Sequence, residues 1–185
     1  MNRNKSVLHL ATAALLVAIG ILIPMISPVS IPLGPAGSFT LASHVAIFLA
    51  MFISPATAVA VALGTTVGFM FRYALPVVLR ALTHVVWAAL GAWWLKKHPD
   101  ILYRPVPSAV FCVVVAIVHA ALETVAIMVL FFHGSFADKG GLWLTVFLPV
   151  GIVTLIHSSV DYVVSLLVWR PLRNLKSVRT IAAVH

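Results

Sequence analysis

The chain has 185 residues, of which 62% are hydrophobic and only 9% are charged. Soluble domains usually carry about 25% charged residues, so this composition excludes an ordinary soluble domain and predicts an integral membrane protein. The formal net charge of +8 does not indicate a nucleic-acid partner, because the basic residues stand at the ends of apolar runs. The single cysteine, Cys112, can form no disulfide within the chain.

Six apolar runs predict an all-α membrane protein, with a single six-helix domain over residues 1–185. The first run has a basic start like that of a signal peptide, but no small-residue cleavage site follows, so we expect it to remain as a helix. Helices 2 and 3 are short and form a tight hairpin broken at Ser54-Pro55. The predicted helices cover residues 6–26, 41–53, 56–71, 75–97, 108–132 and 142–169.

Six spans place both termini on one side of the membrane, and the distribution of basic residues indicates which side. Three basic residues, Arg72, Arg80 and Lys139, fall on the half opposite the termini. The excess on the terminal side predicts cytoplasmic termini, and therefore an external loop at residues 27–40, where three prolines and two glycines follow helix 1. The basic residues on the side of the termini are Arg3, Lys5, Lys96, Lys97, Arg104, Arg170, Arg173, Lys176 and Arg179.

Helix 4 contains two polar residues within a run long enough to cross a bilayer. Arg80 and His84 are four residues apart and therefore share a helix face. A guanidinium inside a membrane helix costs on the order of 3 kcal/mol or more unless it faces a partner, a polar cavity or the interface. Since helix 4 carries no acidic residue, we expect a pocket around this face that binds a small anion.

Counting ~1.5 Å per residue from the external helix ends places further polar groups in the same outer half of the membrane. These are His44 on helix 2 and the pair Glu123 and His119 on helix 5. Trp87 returns to the face of Arg80 and can contact a ligand or lipid. The predicted substrate-binding set is Arg80, His84, His44, Glu123, His119 and Trp87.

These patterns leave alternatives open. Arg80 and Glu123 can form a structural ion pair, and each histidine can hydrogen-bond to a helix carbonyl instead of a ligand. His157 and Asp161, four apart on helix 6, are interpreted as a structural pair nearer the cytoplasm. Gly64 and Gly68 on helix 3 are expected to serve internal packing.

Enzymatic signatures are missing from the sequence, which contains no HExxH, GxSxG or Walker A motif. We therefore predict that the protein is not an enzyme, with no catalytic residue, no metal site and no cofactor of its own. Helix 1 offers a charge-free seam of small residues, Ala14 and Ala18, that could face another protein.

The size, the six spans, the Pro/Gly loop after helix 1 and the Ala14-x-x-x-Ala18 seam together resemble the S component, or substrate-binding subunit, of an energy-coupling factor (ECF) vitamin transporter. The segments SHVAIFLAMFISP and RALTHVVWAALGA further resemble the pantothenate and niacin members. The resemblance implies a multi-pass protein of the bacterial cell membrane. It also implies that the protein binds a vitamin from outside under the first external loop and is no enzyme itself.

The resemblance also implies partners. Ala14 and Ala18 would dock the subunit on a transmembrane coupling protein, and two cytosolic ATPase subunits would bind and hydrolyse the ATP. Buried arginine beside histidine favours a vitamin with a carboxylate. We favour pantothenate, with niacin or another vitamin as the alternative. Two rivals from other classes are a b-type haem-binding membrane subunit, since histidines occur on five spans, and a ligand-free scaffold protein.

Overall fold

The computed structural model describes residues 3–27, 30–32, 38–134 and 141–184, and this part of the chain is helical apart from one short strand pair. The long helices are α1 (Arg3–Ile26), α4 (Leu75–Lys97), α5 (Pro105–Phe132) and α6 (Val153–Leu172). A π-helical segment, Trp143–Ile152, continues directly into α6. The shorter helices are α2 (Val45–Ile53), α3 (Pro55–Met70) and α7 (Lys176–Ile181).

Within the described residues, four helical stretches are long and apolar enough to cross a membrane: Asn4–Ile26, Leu75–Lys97, Pro105–Phe132 and Trp143–Leu172. Helices α2 and α3 are shorter than a full crossing, as the sequence predicts for the hairpin at Ser54-Pro55. Ser54 ends α2 and caps α3, because its hydroxyl accepts a hydrogen bond from the backbone N–H of Thr57 at 3.1 Å. Proline follows at the first position of α3, where its missing N–H costs nothing.

Most boundaries lie within three residues of the predicted ones, and the largest difference is at α2. The sequence predicts a start at Leu41, but residues 41–44 form a turn and the helix begins at Val45. Strands β1 (Ser30–Pro32) and β2 (Ser38–Thr40) pair antiparallel just before this turn. The rest of the predicted external loop, residues 28–29 and 33–37, lies outside the described residues, as do residues 135–140.

Helix α1 packs closely on α3 through glycines. A Cβ atom added to Gly64 would stand 2.8 Å from Val17 Cγ1, and one added to Gly68 would overlap the backbone carbonyl of Ile21. The predicted packing role of Gly64 and Gly68 is therefore confirmed, since only glycine lets the two backbones approach this far.

The apolar core lies around α2, whose residues Ala46 to Ile53 are all buried. Phe48 packs edge-on against Tyr162 of α6 at a centroid distance of 5.3 Å, and Phe52 packs against Trp169 at the same distance. The C-terminal tail closes this end of the bundle, where the backbone N–H of Ala183 donates to the carbonyl of Phe52 at 3.1 Å.

The two described ends of the chain lie at the same end of the bundle. Lys5 and His9 of α1 line one pocket together with Lys96, Thr180 and Ala183. The α3–α4 turn is at the opposite end, where a guanidinium nitrogen of Arg72 donates to the carbonyl of Ser27 at 3.1 Å and so caps the exit of α1.

Candidate functional site

A buried polar cluster lies where the start of α2 meets α4, α5 and α6. It contains three buried side chains with formal charges, Arg80, Glu123 and Asp161, each no more than 6% exposed. Four buried histidines fill the space between them. These are His44, His84, His119 and His157.

Glu123 forms one half of the cluster. Its Oε2 atom accepts hydrogen bonds from Arg80 Nε at 3.0 Å, from Arg80 Nη2 at 2.8 Å and from the Thr154 hydroxyl at 2.6 Å. Its other oxygen, Oε1, lies 3.0 Å from His84 Nε2 and 3.3 Å from His119 Nε2. The structural ion pair considered from the sequence is therefore present, and it satisfies the guanidinium that helix α4 cannot balance by itself.

Asp161 forms the other half of the cluster and holds the start of α2. Its carboxylate accepts hydrogen bonds from the backbone N–H groups of Ala42 and His44 at 3.1 and 3.0 Å. Ala42 has a φ of 64°, a left-handed conformation that non-glycine residues rarely adopt. These two hydrogen bonds, together with the positive end of the α2 dipole, explain how the strained turn persists.

His44 joins the two halves. Its Nδ1 atom lies 3.0 Å from Asp161 Oδ2, and its ring centroid is 4.8 Å from that of His84 and 4.6 Å from that of His119. The ring of His157 is also 4.6 Å away, and His157 Nε2 lies 3.0 Å from Asp161 Oδ2.

His157 and Asp161 therefore form the pair predicted from the sequence, but their placement apart from the other polar groups was wrong, because His44 contacts both. Counting depth from helix ends assumes that every helix starts in one plane, whereas α2 begins inside the bundle. The sequence analysis also missed Thr154 and Ser158. Thr154 precedes His157 by three residues and Ser158 precedes Asp161 by three, and this shared helix face was the available signal.

The structure brings five of the six predicted substrate-binding residues into direct contact with one another, and Trp87 borders them. The Trp87 ring is 4.8 Å from that of His119, and its side chain is 1% exposed. Lipid contact through an exposed indole face is thus not its role. The indole Nε1 of Trp87 and the Nδ1 of His84 are buried and have no hydrogen-bond partner among the described residues.

A small cavity of about 20 Å³ adjoins the cluster, a volume that holds roughly one water-sized group. It lies towards the α3–α4 end of the bundle, opposite the chain ends. Thr40, near its mouth, is hydrogen-bonded through Oγ1 to the hydroxyl of Tyr73 at 3.0 Å. The residues lining it are Thr40, Ser43, His44, Phe69, Val77, Arg80, Ala81, His84, Glu123 and His157.

The two alanines predicted to dock a partner lie on the outer face of α1. Ala14 and Ala18 are both exposed, whereas Gly20 of the same helix is buried against Thr65. The two faces of α1 therefore differ: one packs within the bundle and the other is available to lipid or to another protein.

A helical bundle with a buried polar cluster, whose described residues include four membrane-length apolar stretches, defines a multi-pass cell-membrane protein. No family profile matches the chain, and no solved structure matches it. The chain is 41% identical over 161 residues to the niacin transporter NiaX of Lactococcus lactis subsp. cremoris (strain MG1363), covering 86% of this chain and 72% of that protein. The chain therefore belongs to the S components of ECF vitamin transporters, of the niacin/pantothenate type.

Membership of this family makes the protein a transport subunit rather than an enzyme. It also argues against the haem-binding rival. Ring centroids only 4.6 to 4.9 Å apart leave no space for a porphyrin between any two of the rings of His44, His84 and His119.

Proposed function

We propose that this chain is the niacin-binding subunit of an ATP-driven ECF importer. The observation that carries the proposal is the 41% identity to a niacin transporter over most of the chain. The pantothenate assignment favoured from the sequence is not supported, and the niacin alternative fits the relative better. Both vitamins carry one carboxylate, so the argument from Arg80 alone could not distinguish them.

The vitamin site is assigned to Arg80, His84, His44, Glu123, His119 and Trp87. A carboxylate entering beside Arg80 would gain charge-assisted hydrogen bonds in a site shielded from water. The indole N–H of Trp87 and the Nδ1 of His84, both buried without a partner in the described part of the chain, would gain one. The Trp87 ring offers a flat apolar surface for a pyridine ring.

Binding requires the site to open, because the cavity of about 20 Å³ holds one water-sized group and not an aromatic acid. The segment from β2 to the turn before α2 is the element best suited to move. It contributes Thr40 and Ser43 to the cavity wall and contains the left-handed residue Ala42. We propose that this segment closes over the bound vitamin.

The full topology belongs to the same proposal: six spans, with both termini cytoplasmic. Both described chain ends lie at the end of the bundle near Lys5 and Lys96, which the distribution of basic residues assigns to the cytoplasm. The cavity then opens on the external side, as import requires. The exposed Ala14 and Ala18 would dock on the coupling protein, and two cytosolic ATPase subunits would supply the energy.

Calorimetric titration of the purified chain with niacin, nicotinamide and pantothenate tests the vitamin assignment. We expect niacin to bind and pantothenate not to bind, with nicotinamide weaker than niacin because it lacks the carboxylate that Arg80 attracts. Binding of pantothenate without niacin would overturn the proposal. Mass spectrometry of small molecules released from the purified protein provides an independent check.

A further inference from the structure

The histidine-rich base of the cavity contains more donor atoms than a small vitamin needs. His44, His84, His119 and Glu123 each offer one nitrogen or oxygen atom, and these four atoms all lie within 4.8 Å of one another. Two donor atoms on the same zinc ion lie at most about 4 Å apart. Small movements of these side chains would therefore bring all four donor atoms within coordinating distance of one ion. All four residues are buried.

The hydrogen bonds around these donors resemble those around metal ligands. Nδ1 of His44 faces the Asp161 carboxylate at 3.0 Å, and donation from that nitrogen leaves the lone pair on the other ring nitrogen, Nε2. A carboxylate that orients a histidine in this way is the common outer partner of a metal ligand. Nδ1 of His119 is positioned similarly by the Ser158 hydroxyl at 3.1 Å.

His84 supplies a second, independent observation. Its Nε2 lies 3.0 Å from Glu123 Oε1, while its Nδ1 is buried with no hydrogen-bond partner among the described residues. A buried imidazole nitrogen without a partner destabilises the fold, and a coordinated ion would remove that cost.

The charges of the cluster favour a cation. With neutral histidines, Glu123 and Asp161 outnumber Arg80 by one negative charge, and all three side chains are buried. An uncompensated buried negative charge is costly, and a cation bound beside Glu123 would offset it.

We propose that His44, His84, His119 and Glu123 bind a divalent first-row transition-metal ion at the base of the cavity. Imidazole with one carboxylate suits Zn²⁺, Co²⁺ or Ni²⁺ rather than the oxygen-seeking Mg²⁺. The site does not depend on the identity of the vitamin. With an ion bound, the four ligand residues contact the metal, and Arg80 and Trp87 remain to contact the vitamin.

Metal binding is tested on tag-free, chelator-treated protein without added vitamin. Co²⁺ and Zn²⁺ are supplied in turn, excess ion is removed, and bound metal is measured by mass spectrometry. We expect one ion per chain, visible d–d absorption for Co²⁺, and no retention of Mg²⁺. Metal content well below one ion per chain, with no d–d absorption, overturns the inference.

Variants locate the ion. We expect His84→Ala and His119→Ala each to weaken Co²⁺ binding by ~10-fold or more, as changes around metal ligands commonly do. The matched control is His98→Ala, because His98 is exposed at the far end of α4. Loss of the ion from the control, with retention in the other two variants, places the metal elsewhere and overturns the inference. The wild-type Co²⁺ spectrum decides the question if the cluster variants fail to fold.

Niacin titration of metal-free and metal-loaded protein separates this inference from the proposed function. Metal binding without niacin binding leaves the metal site standing and removes the vitamin assignment. Niacin binding by a protein that retains no metal supports the vitamin assignment and overturns the metal site.

Discussion

The two buried carboxylates of this protein have different kinds of partner. Glu123 is surrounded by side chains, among them Arg80, Thr154 and His84. Asp161 is bound instead to two backbone N–H groups of the turn before α2 as well as to histidine. Side chains can exchange a protein partner for a ligand, whereas the two backbone N–H groups hold the turn before α2 in its left-handed conformation. The comparison therefore supports the proposal that the ligand binds near Glu123, and it indicates a structural role for Asp161.

The largest expected effect concerns Arg80. We expect Arg80→Ala to weaken niacin binding by roughly 2–5 kcal/mol, the range for truncating one member of a buried charge pair. Calorimetric titration measures this directly. Wild-type affinity in a folded Arg80→Ala protein would remove Arg80 from the vitamin site.

The ion pair itself requires a control, because Arg80→Ala leaves Glu123 buried without its cation, at a cost of about 3–5 kcal/mol in folding. The double variant Arg80→Ala/Glu123→Ala removes both charges. We expect it to fold with better yield than the single variant and still to bind niacin poorly. Full binding by the double variant would show that the pair is only structural.

Asp161 is expected to affect stability more than binding. We expect Asp161→Asn to lower the free energy of unfolding by ~1–3 kcal/mol, because one carboxylate acceptor becomes an amide donor facing backbone N–H. Thermal unfolding in detergent measures the change, with the exposed Asp100→Asn as its matched control. Equal stability of Asp161→Asn and wild type would contradict a structural role in the turn.

A smaller effect is expected at the mouth of the cavity. Tyr73→Phe removes the hydrogen bond to Thr40, worth about 0.5–1.5 kcal/mol. Since Thr40 lines the cavity, we expect faster dissociation of niacin with little change in unfolding. Exchange of radiolabelled niacin gives the rate, and Tyr103→Phe, at the opposite end of the bundle, is the control. An unchanged rate would mean that this contact does not hold the site closed.

The smallest expected effect on the site comes from α1, remote from both carboxylates. Ala14→Trp and Ala18→Trp should leave niacin affinity unchanged but prevent uptake, because a bulky side chain separates helix backbones that must approach closely. Affinity in detergent and ATP-dependent uptake in vesicles with the ATPase module are measured on the same variant. Ile19→Trp is the matched control, because Ile19 is exposed and lies on a different face of α1 from Ala14 and Ala18. Normal uptake by both alanine variants would contradict docking through this seam.

Much of the site was predictable because polar residues are rare in a chain that is 62% hydrophobic. Each buried charge had to find a partner, so Arg80 on α4 indicated a polar pocket before any contact was known. The four-residue spacing of Arg80 and His84, and of His119 and Glu123, placed each pair on one helix face. Helix α4 was predicted with its observed bounds because the apolar run ends at Lys96 and Lys97.

Relative helix positions, in contrast, do not follow from local sequence. The sequence by itself determined that the chain enters the membrane and which apolar runs are helical, since both follow from hydropathy and helical period. It also determined which charged residues need a partner when they are buried. Only the tertiary structure decided that α2 begins inside the bundle and that His44 links Asp161 to the Glu123 cluster. Those contacts depend on how far each helix is shifted along its neighbours, and that shift is set by long-range packing such as the glycine contacts of α3 with α1.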